Sequence, residues 1–227
     1  MSTPRKTAGA RERPDPGREA GEAGEAPRGS PETREAILDA TDHLLATRGF
    51  RGVTMDDIAA QAGVSRRTVY MYFPSKEEVG LSSIDRVVEN THRRLQELSG
   101  GPGEPATILR EILIARVLYR IDSVRPYRQS LGELFEVVRP AYMERRRRQW
   151  GREVELIATV LEAGRARQRF EFEGDATSTA VTLIQATNAF LPYSLSAEEI
   201  GERDQVETGI RRMADLLLKS LTNIRPG

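Results

Sequence analysis

From Ile37 onward, apolar residues recur every three or four positions in successive blocks, the spacing of one face of an α-helix. The first block carries Ile37, Ala40, Leu44 and Leu45. Ser30 stands before it as a candidate N-cap, and Pro31 follows where a missing N–H does no harm. Gly49 ends this helix. Phe50 and Val53 fall in a short loop, tucked under the next helices. Ile58, Ala59 and Ala62 form the second block. Thr54 is its N-cap, and Asp57 three residues on makes a variant capping box. It stops at Gly63, and Ser65 caps a third helix two residues later.

The result is helix, tight glycine turn, helix. Ala59 is small enough to let the two helices cross closely. Gly63 can take the positive φ of such a turn, and Val69 packs back on the first helix of the pair. These are the steric demands of a helix-turn-helix.

The third helix, in the stretch SRRTVYMYF, poses the functional question. At about 100° per residue, Val69 and Phe73 share a face and turn to the core. Arg67 and Met71 point nearly opposite. Arg66 and Tyr70 lie on one flank, Thr68 and Tyr72 on the other. A helix in the DNA major groove wants this arrangement, with an outward ridge at the base edges and flanks at the phosphate walls. Arg67 is placed to donate to guanine, or Arg66 if the helix is rolled. Hydroxyls of Tyr and Thr can donate to phosphates. Pro74 ends the helix and Ser75 caps the next. Lys76 opens that fourth helix, where a cation opposes the helix dipole; a phosphate partner would account for it.

A long amphipathic segment runs from Ser75 to about Leu98, followed by the break SGGPGEP. A helix from about Ala106 to Ser123 carries Leu109, Ile112, Leu113, Val117 and Ile121 on one face. Pro126 and Pro140 are expected to punctuate shorter pieces before a long helix from about Ala141 to Gln168. Its run Arg145 to Arg148, just after Glu144, covers a whole helical turn and reads as a solvated turn paired with acids. Glu133 and Glu136, beside Phe135, either draw a cationic ligand or face water. Two last helices are expected, Asp175 to about Tyr193 and Arg203 to Asn223.

Between Met1 and Ile37 there is no Ile, Leu, Val, Phe, Tyr or Trp, only a Pro, Gly, Ala, Glu and Arg-rich segment with a GEAGEA repeat. Such a stretch cannot offset its ordering entropy by burial. Residues 1–29 therefore read as a disordered tail. Arg5, Lys6, Arg11 and Arg13 could reach DNA, but interleaved glutamates favour an inert tail. The expected division is 1–29, then a head at 30–75 and a body at 76–227.

Composition narrows the chemistry. The 227 residues include 34 Lys and Arg against 34 Asp and Glu, so net charge is zero. That argues against a generally basic surface while leaving local patches open. With no cysteine, disulfides, thiolate metal sites and cysteine catalysis are excluded. His43 and His92 form no metal-binding pair, and neither metal nor cofactor is expected. No apolar run approaches the ~20 residues of a membrane span, and the N-terminus lacks a signal-peptide core. A cytoplasmic location without membrane contact is expected. Asp39, Asp42 and His43 lie close together, but a solvated helix face explains them better than acid–base catalysis. No nucleophile constellation accompanies them, so no enzymatic activity is expected.

The ordered run Gly49-Phe50, Val53-Thr54, Ile58-Ala59, Ala62-Gly63-Val64-Ser65, Thr68, Tyr70, Tyr72-Phe73 and Ser75-Lys76-Glu77 resembles the N-terminal domain of the TetR family of transcriptional regulators. The resemblance covers about Pro31 to Leu81. It implies an all-α protein with a three-helix DNA-binding head and a helical ligand-binding and dimerisation body. By the same resemblance, Thr54, Ser65, Arg66, Arg67, Thr68, Tyr70, Met71, Tyr72 and Lys76 contact double-stranded DNA. Two acids, Asp56 and Asp57, restrict Thr54 to a backbone or phosphate contact. The last two helices would form a homodimer interface, with Ala180, Ile184, Thr187, Met213, Leu217 and Leu221 as candidates. The middle helices would enclose a small-molecule effector pocket, with candidate lining residues Tyr119, Tyr127, Phe135, Tyr142, Trp150 and Phe190. The expected activity is repression at a palindromic operator, relieved by the effector, with the segment from Ser75 to Leu98 as the coupling lever. The alternatives are an activator of the same fold and a small-molecule sensor that acts through a protein partner.

Overall fold

The computed structural model describes residues 30–222, and the regular elements among them are all helical. The tail at 1–29, with Arg5, Lys6, Arg11 and Arg13, lies outside the described residues, as does Asn223.

Helix α1 (Pro31–Arg48) begins where Ser30 Oγ accepts from Thr33 N–H at 3.2 Å and ends at Gly49. Helix α2 (Met55–Ala62) opens on a complete capping box. Thr54 Oγ1 accepts from Asp57 N–H while an Asp57 carboxylate oxygen accepts from Thr54 N–H at 2.9 Å. Gly63 has φ 68°, the left-handed conformation that turns the chain into α3 (Arg66–Tyr72). Ile37, Leu38, Leu44, Val53, Ile58, Val69 and Phe73 bury together with Val79 as the head's own core.

The body follows with α4 (Lys76–Ser99), α5 (Pro105–Val124), a 3-10 turn at Arg125–Tyr127 and α6 (Arg128–Ala166). After them come α7 (Ala176–Thr187), two more 3-10 turns, α8 (Ala197–Gly201) and α9 (Arg203–Leu221). Helix α5 is central, packed against α4, α6, α7 and α9. Its predicted face of Leu109, Ile112, Leu113, Val117 and Ile121 is wholly excluded from solvent.

Two boundaries differ from expectation. Pro126 does sit in a break, but α6 runs unbroken through Pro140. That proline removes one N–H, the one that would bond the Glu136 carbonyl, and both residues are exposed. Helix α7 stops at Thr187, six residues short of Tyr193. Asn188 Oδ1 accepts from Arg116 at 2.8 Å, and Pro192 has no N–H to continue a helix, so 3-10 turns at Asn188–Phe190 and Pro192–Ser194 take over.

Head and body are joined by packing and by ion pairs. Leu45 and Phe50 belong to the body's core. At Gly80 of α4 a Cβ would come 2.7 Å from Leu134 and 3.3 Å from the Phe50 ring, so any larger residue would make Leu134 shift. Ser130 Oγ donates to the Leu45 carbonyl at 2.6 Å. Glu133 accepts from the Arg51 N–H at 3.0 Å, and Glu136 pairs with its guanidinium at 2.8 Å. These two acids therefore hold the head's loop, and Glu136 faces water as it does so. On the other side of the joint, Arg86 of α4 binds Glu35 at 3.0 Å and Asp39 and Asp42 at 2.6 Å each. The acids of α1 serve this clamp, and His43 is exposed.

Candidate nucleic-acid interface

Helix α3 is short, and its placement rests on its two ends. Ser65 Oγ accepts from Thr68 N–H at 3.0 Å, and the two hydroxyls lie 2.8 Å apart. Val69 and Phe73 anchor the opposite side in the head's core. The outward side then carries Arg67 and Met71, with Met71 54% exposed and Tyr70 43% exposed. Surface methionine and tyrosine at this level leave apolar area in water that a groove wall or a thymine methyl would cover.

The two arginines are not equivalent. Arg66 pairs with Asp56 at 3.0 Å and lies 5.5 Å from the centroid of the Tyr70 ring. Arg67 is exposed and makes no ion pair among the described residues. Arg67 is thus the guanidinium available to a base edge, while Arg66 must first leave Asp56. Both partners of that pair are more than half exposed, so release costs little.

The flanks are also partly engaged. Tyr72 donates to the Ser30 carbonyl at 3.1 Å, tying α3 to the start of α1. Thr54 is exposed but bound into its capping box, where its hydroxyl donates to Asp57 at 2.6 Å. Lys76 departs furthest from its expected place. Its ammonium donates to the Phe50 carbonyl at 3.0 Å, which explains a cation at this helix start without a phosphate. Ser65, Arg66, Arg67, Thr68, Tyr70 and Met71 share one surface; Lys76 points back into the joint.

In the body, the six pocket candidates separate. Tyr142 and Trp150 line one small cavity, and Tyr142 and Phe135 line another beside it. Tyr127 is buried at the joint, where its hydroxyl has no partner. Phe190 packs on α9 at Gly209, where a Cβ would stand 2.7 Å from its ring. Tyr119 lies outside both cavities. The sequence reading missed Arg116, Arg120, Arg146 and Glu153, which line the first cavity. A signal existed: Arg116 and Arg120 stand one turn apart on a helix otherwise apolar from Leu113 to Ile121.

The dimer candidates need correction. Ala180, Ile184, Thr187 and Leu221 are at most 5% exposed inside this single subunit, so they have no surface to offer a second copy. Helical spacing identified the inward face of these helices. Met213 and Leu217 are half-buried, and Leu216 between them is 63% exposed.

Residues 37–80 match the bacterial regulatory proteins of the tetR family. EthR of Mycobacterium tuberculosis, an HTH-type transcriptional regulator, is 45% identical over 69 residues, 30% of this chain and 32% of that protein. The HTH-type transcriptional repressor NemR of Escherichia coli is 36% identical over 67 residues, 30% of this chain and 34% of that protein. The chain thus spans about a third of the length of these curated relatives. The fold extends further: a transcriptional regulator from Cytophaga hutchinsonii superposes with a TM-score of 0.68 over 83% of this chain and 98% of its own, at 17% identity. Residues 37–80 thus match the tetR family of bacterial regulatory proteins, and the chain as a whole shares its helical fold with a solved transcriptional regulator.

Proposed function

We propose that the protein is a transcriptional regulator that binds double-stranded DNA as a homodimer and represses from a palindromic operator until a small-molecule effector releases it. The observation that carries this reading is Arg67, without an ion pair among the described residues, beside exposed Tyr70 and Met71, on a short helix anchored behind by Val69 and Phe73. A side chain in that position reads a guanine edge with two donors. The relative NemR is named a repressor, which supports repression.

Two copies would meet through α7 and α9 by the exposed Leu216 and its neighbours Met213 and Leu217. Their recognition helices would then lie about one DNA turn apart, about 34–36 Å. Helix α4 couples the sites. Its start holds the Phe50 loop through Lys76, its middle clamps α1 through Arg86, and Ile84, Val87 and Val88 line the cavity that Phe135 and Tyr142 share. An effector that prefers another setting of α4 must weaken DNA binding by reciprocal linkage.

Selection of the full chain on a random DNA library tests the reading. A two-fold symmetric motif is expected. Salt-sensitive binding without an enriched motif would leave only phosphate attraction and overturn it.

A further inference from the structure

The cavity between α4, α5 and α6 carries more positive charge than the protein neutralises. Arg116, Arg120 and Arg146 line it against one carboxylate, Glu153, which leaves two cations in excess. Arg116, Arg120 and Glu153 are each less than a tenth exposed. One Glu153 oxygen accepts from Arg116 Nε at 2.7 Å and the other from Arg120. Arg116 turns one donor from each of its other two nitrogens to Thr187 at 2.9 Å and Asn188 at 2.8 Å, both neutral. Arg120 gives one to the Arg116 carbonyl at 3.0 Å.

Arg146 has only neutral partners. It donates to the Tyr193 hydroxyl at 2.7 Å and stacks 4.9 Å from the Trp150 ring and 4.8 Å from the Tyr193 ring. No carboxylate among the described residues pairs with it. Arg146 is half-buried; a guanidinium cannot shed its proton, and a charge drawn partly out of water without a carboxylate is costly. A purely structural ion pair would balance; this cluster does not.

A second cavity adjoins the first and shares Val88, Arg120, Tyr142 and Tyr193 with it. The rest of its wall is apolar, including Ile84, Val87, Leu131 and Phe135. Each cavity has room for about one water, about 30 Å³. A ligand must therefore displace a wall. The stretch 191–194 lies outside the α-helices, in a 3-10 turn, and it carries Leu191 and Tyr193 over the arginines, with Tyr193 held by its contacts to Arg146 and Tyr142.

We propose that this cavity anchors the effector and that the effector is an amphipathic carboxylate, its head on Arg120 and Arg146 and its apolar tail in the second cavity. The proposal rests on the effector reading above. Displacing Tyr193 exposes Arg146 to the carboxylate. Filling the second cavity presses on Ile84 and Val87 of α4, one turn or less from Arg86, the residue that clamps α1.

The test uses the full-length protein and its selected operator. Butyrate, octanoate and dodecanoate are compared with the alcohols and primary ammonium ions of equal length, reading melting temperature and DNA release. A carboxylate of at least one length raises the melting temperature and releases DNA, the matched alcohol acts about tenfold more weakly, and the ammonium does neither. Arg146→Gln lowers the potency of the carboxylate about tenfold, to that of the alcohol. Arg147→Gln, exposed on the same turn, keeps the wild-type response. An alcohol or ammonium that matches the carboxylate overturns the charge assignment and leaves the effector reading intact. A silent panel also overturns it. A solvent extract of cells that still releases DNA then preserves the effector reading, and an inactive extract ends both.

Discussion

The ammonium of Lys76 donates to the Phe50 carbonyl at 3.0 Å and lies 4.5 Å from the centroid of the ring of the same residue. One cation thus satisfies a loop carbonyl and rests on an aromatic face, and it fixes the loop between α1 and α2 to the start of α4. Lys76→Met is expected to cost about 1–2 kcal/mol of stability, the worth of a charge-assisted hydrogen bond and a half-exposed cation–π contact. Urea unfolding without DNA measures it. A Lys76 that served only a phosphate would leave the unfolding curve unchanged and lower DNA affinity alone.

Arg67 and Arg66 are expected to differ in effect although they are neighbours. Arg67→Ala should lose about 1–3 kcal/mol of sequence discrimination at one base pair of each half-site. Arg66→Ala should weaken binding more evenly across sequences, because its guanidinium is shared with Asp56 at 3.0 Å. Library selection with each variant reads the difference directly. An unchanged motif with Arg67→Ala would remove that residue from base readout.

The head was legible in the sequence because its signals are local. Ser30, Thr54, Gly63 and Ser65 act on residues within one helical turn, and each does what its chemistry dictates. The body was less legible because long-range partners decide it. Pro140 looks like a helix stop in sequence, yet packing on both sides carries α6 through it. Thr187 and Asn188 look like interface or helix until Arg116, more than seventy residues away, takes both as acceptors. The run Arg145 to Arg148 divides in a way no periodicity shows. Arg145 binds Glu78 and Asp85 and Arg148 binds Glu144, as a paired turn should, while Arg146 turns inward to aromatic rings. Helical spacing marks the more apolar face of α7 and α9. That face packs inside the subunit, which is why Ala180, Ile184, Thr187 and Leu221 were misassigned to the dimer.

Glu153 makes the stability of the body sensitive to acid. Burial disfavours its charge, but Arg120 and Arg116 more than offset this and hold its pKa down to about 2, from an ordinary 4.5. A carboxylate lowered in the folded state stabilises fully above the unfolded value and loses that contribution as pH falls through the folded one. Glu153→Gln is expected to cost about 3–5 kcal/mol at neutral pH, since it strands two buried guanidiniums. The gap to wild type should then narrow between pH 4.5 and about 2. Urea unfolding at pH 7, 4 and 3 follows it, and a gap that stays constant with pH would place the stabilisation elsewhere.

Leu216 is the most exposed of the large apolar side chains among the described residues, at 63%, on a helix whose opposite face is closed in the core by Val206, Ile210, Ala214 and Leu218. Half-buried Met213 and Leu217 flank it, so the three make a small apolar ridge that water covers poorly. A second copy related by two-fold symmetry would place ridge against ridge, in a self-complementary contact. An aspartate there would bury two like charges at the symmetry axis, whereas the isolated subunit would accept it, because position 216 touches no core. Leu216→Asp is therefore expected to run as a monomer by light scattering with its helix content unchanged. Its affinity for a two-fold symmetric operator should fall by about 10²-fold or more, because one head then binds without the effective concentration that its partner supplies. A Leu216→Asp protein that remains dimeric would move the interface off this ridge.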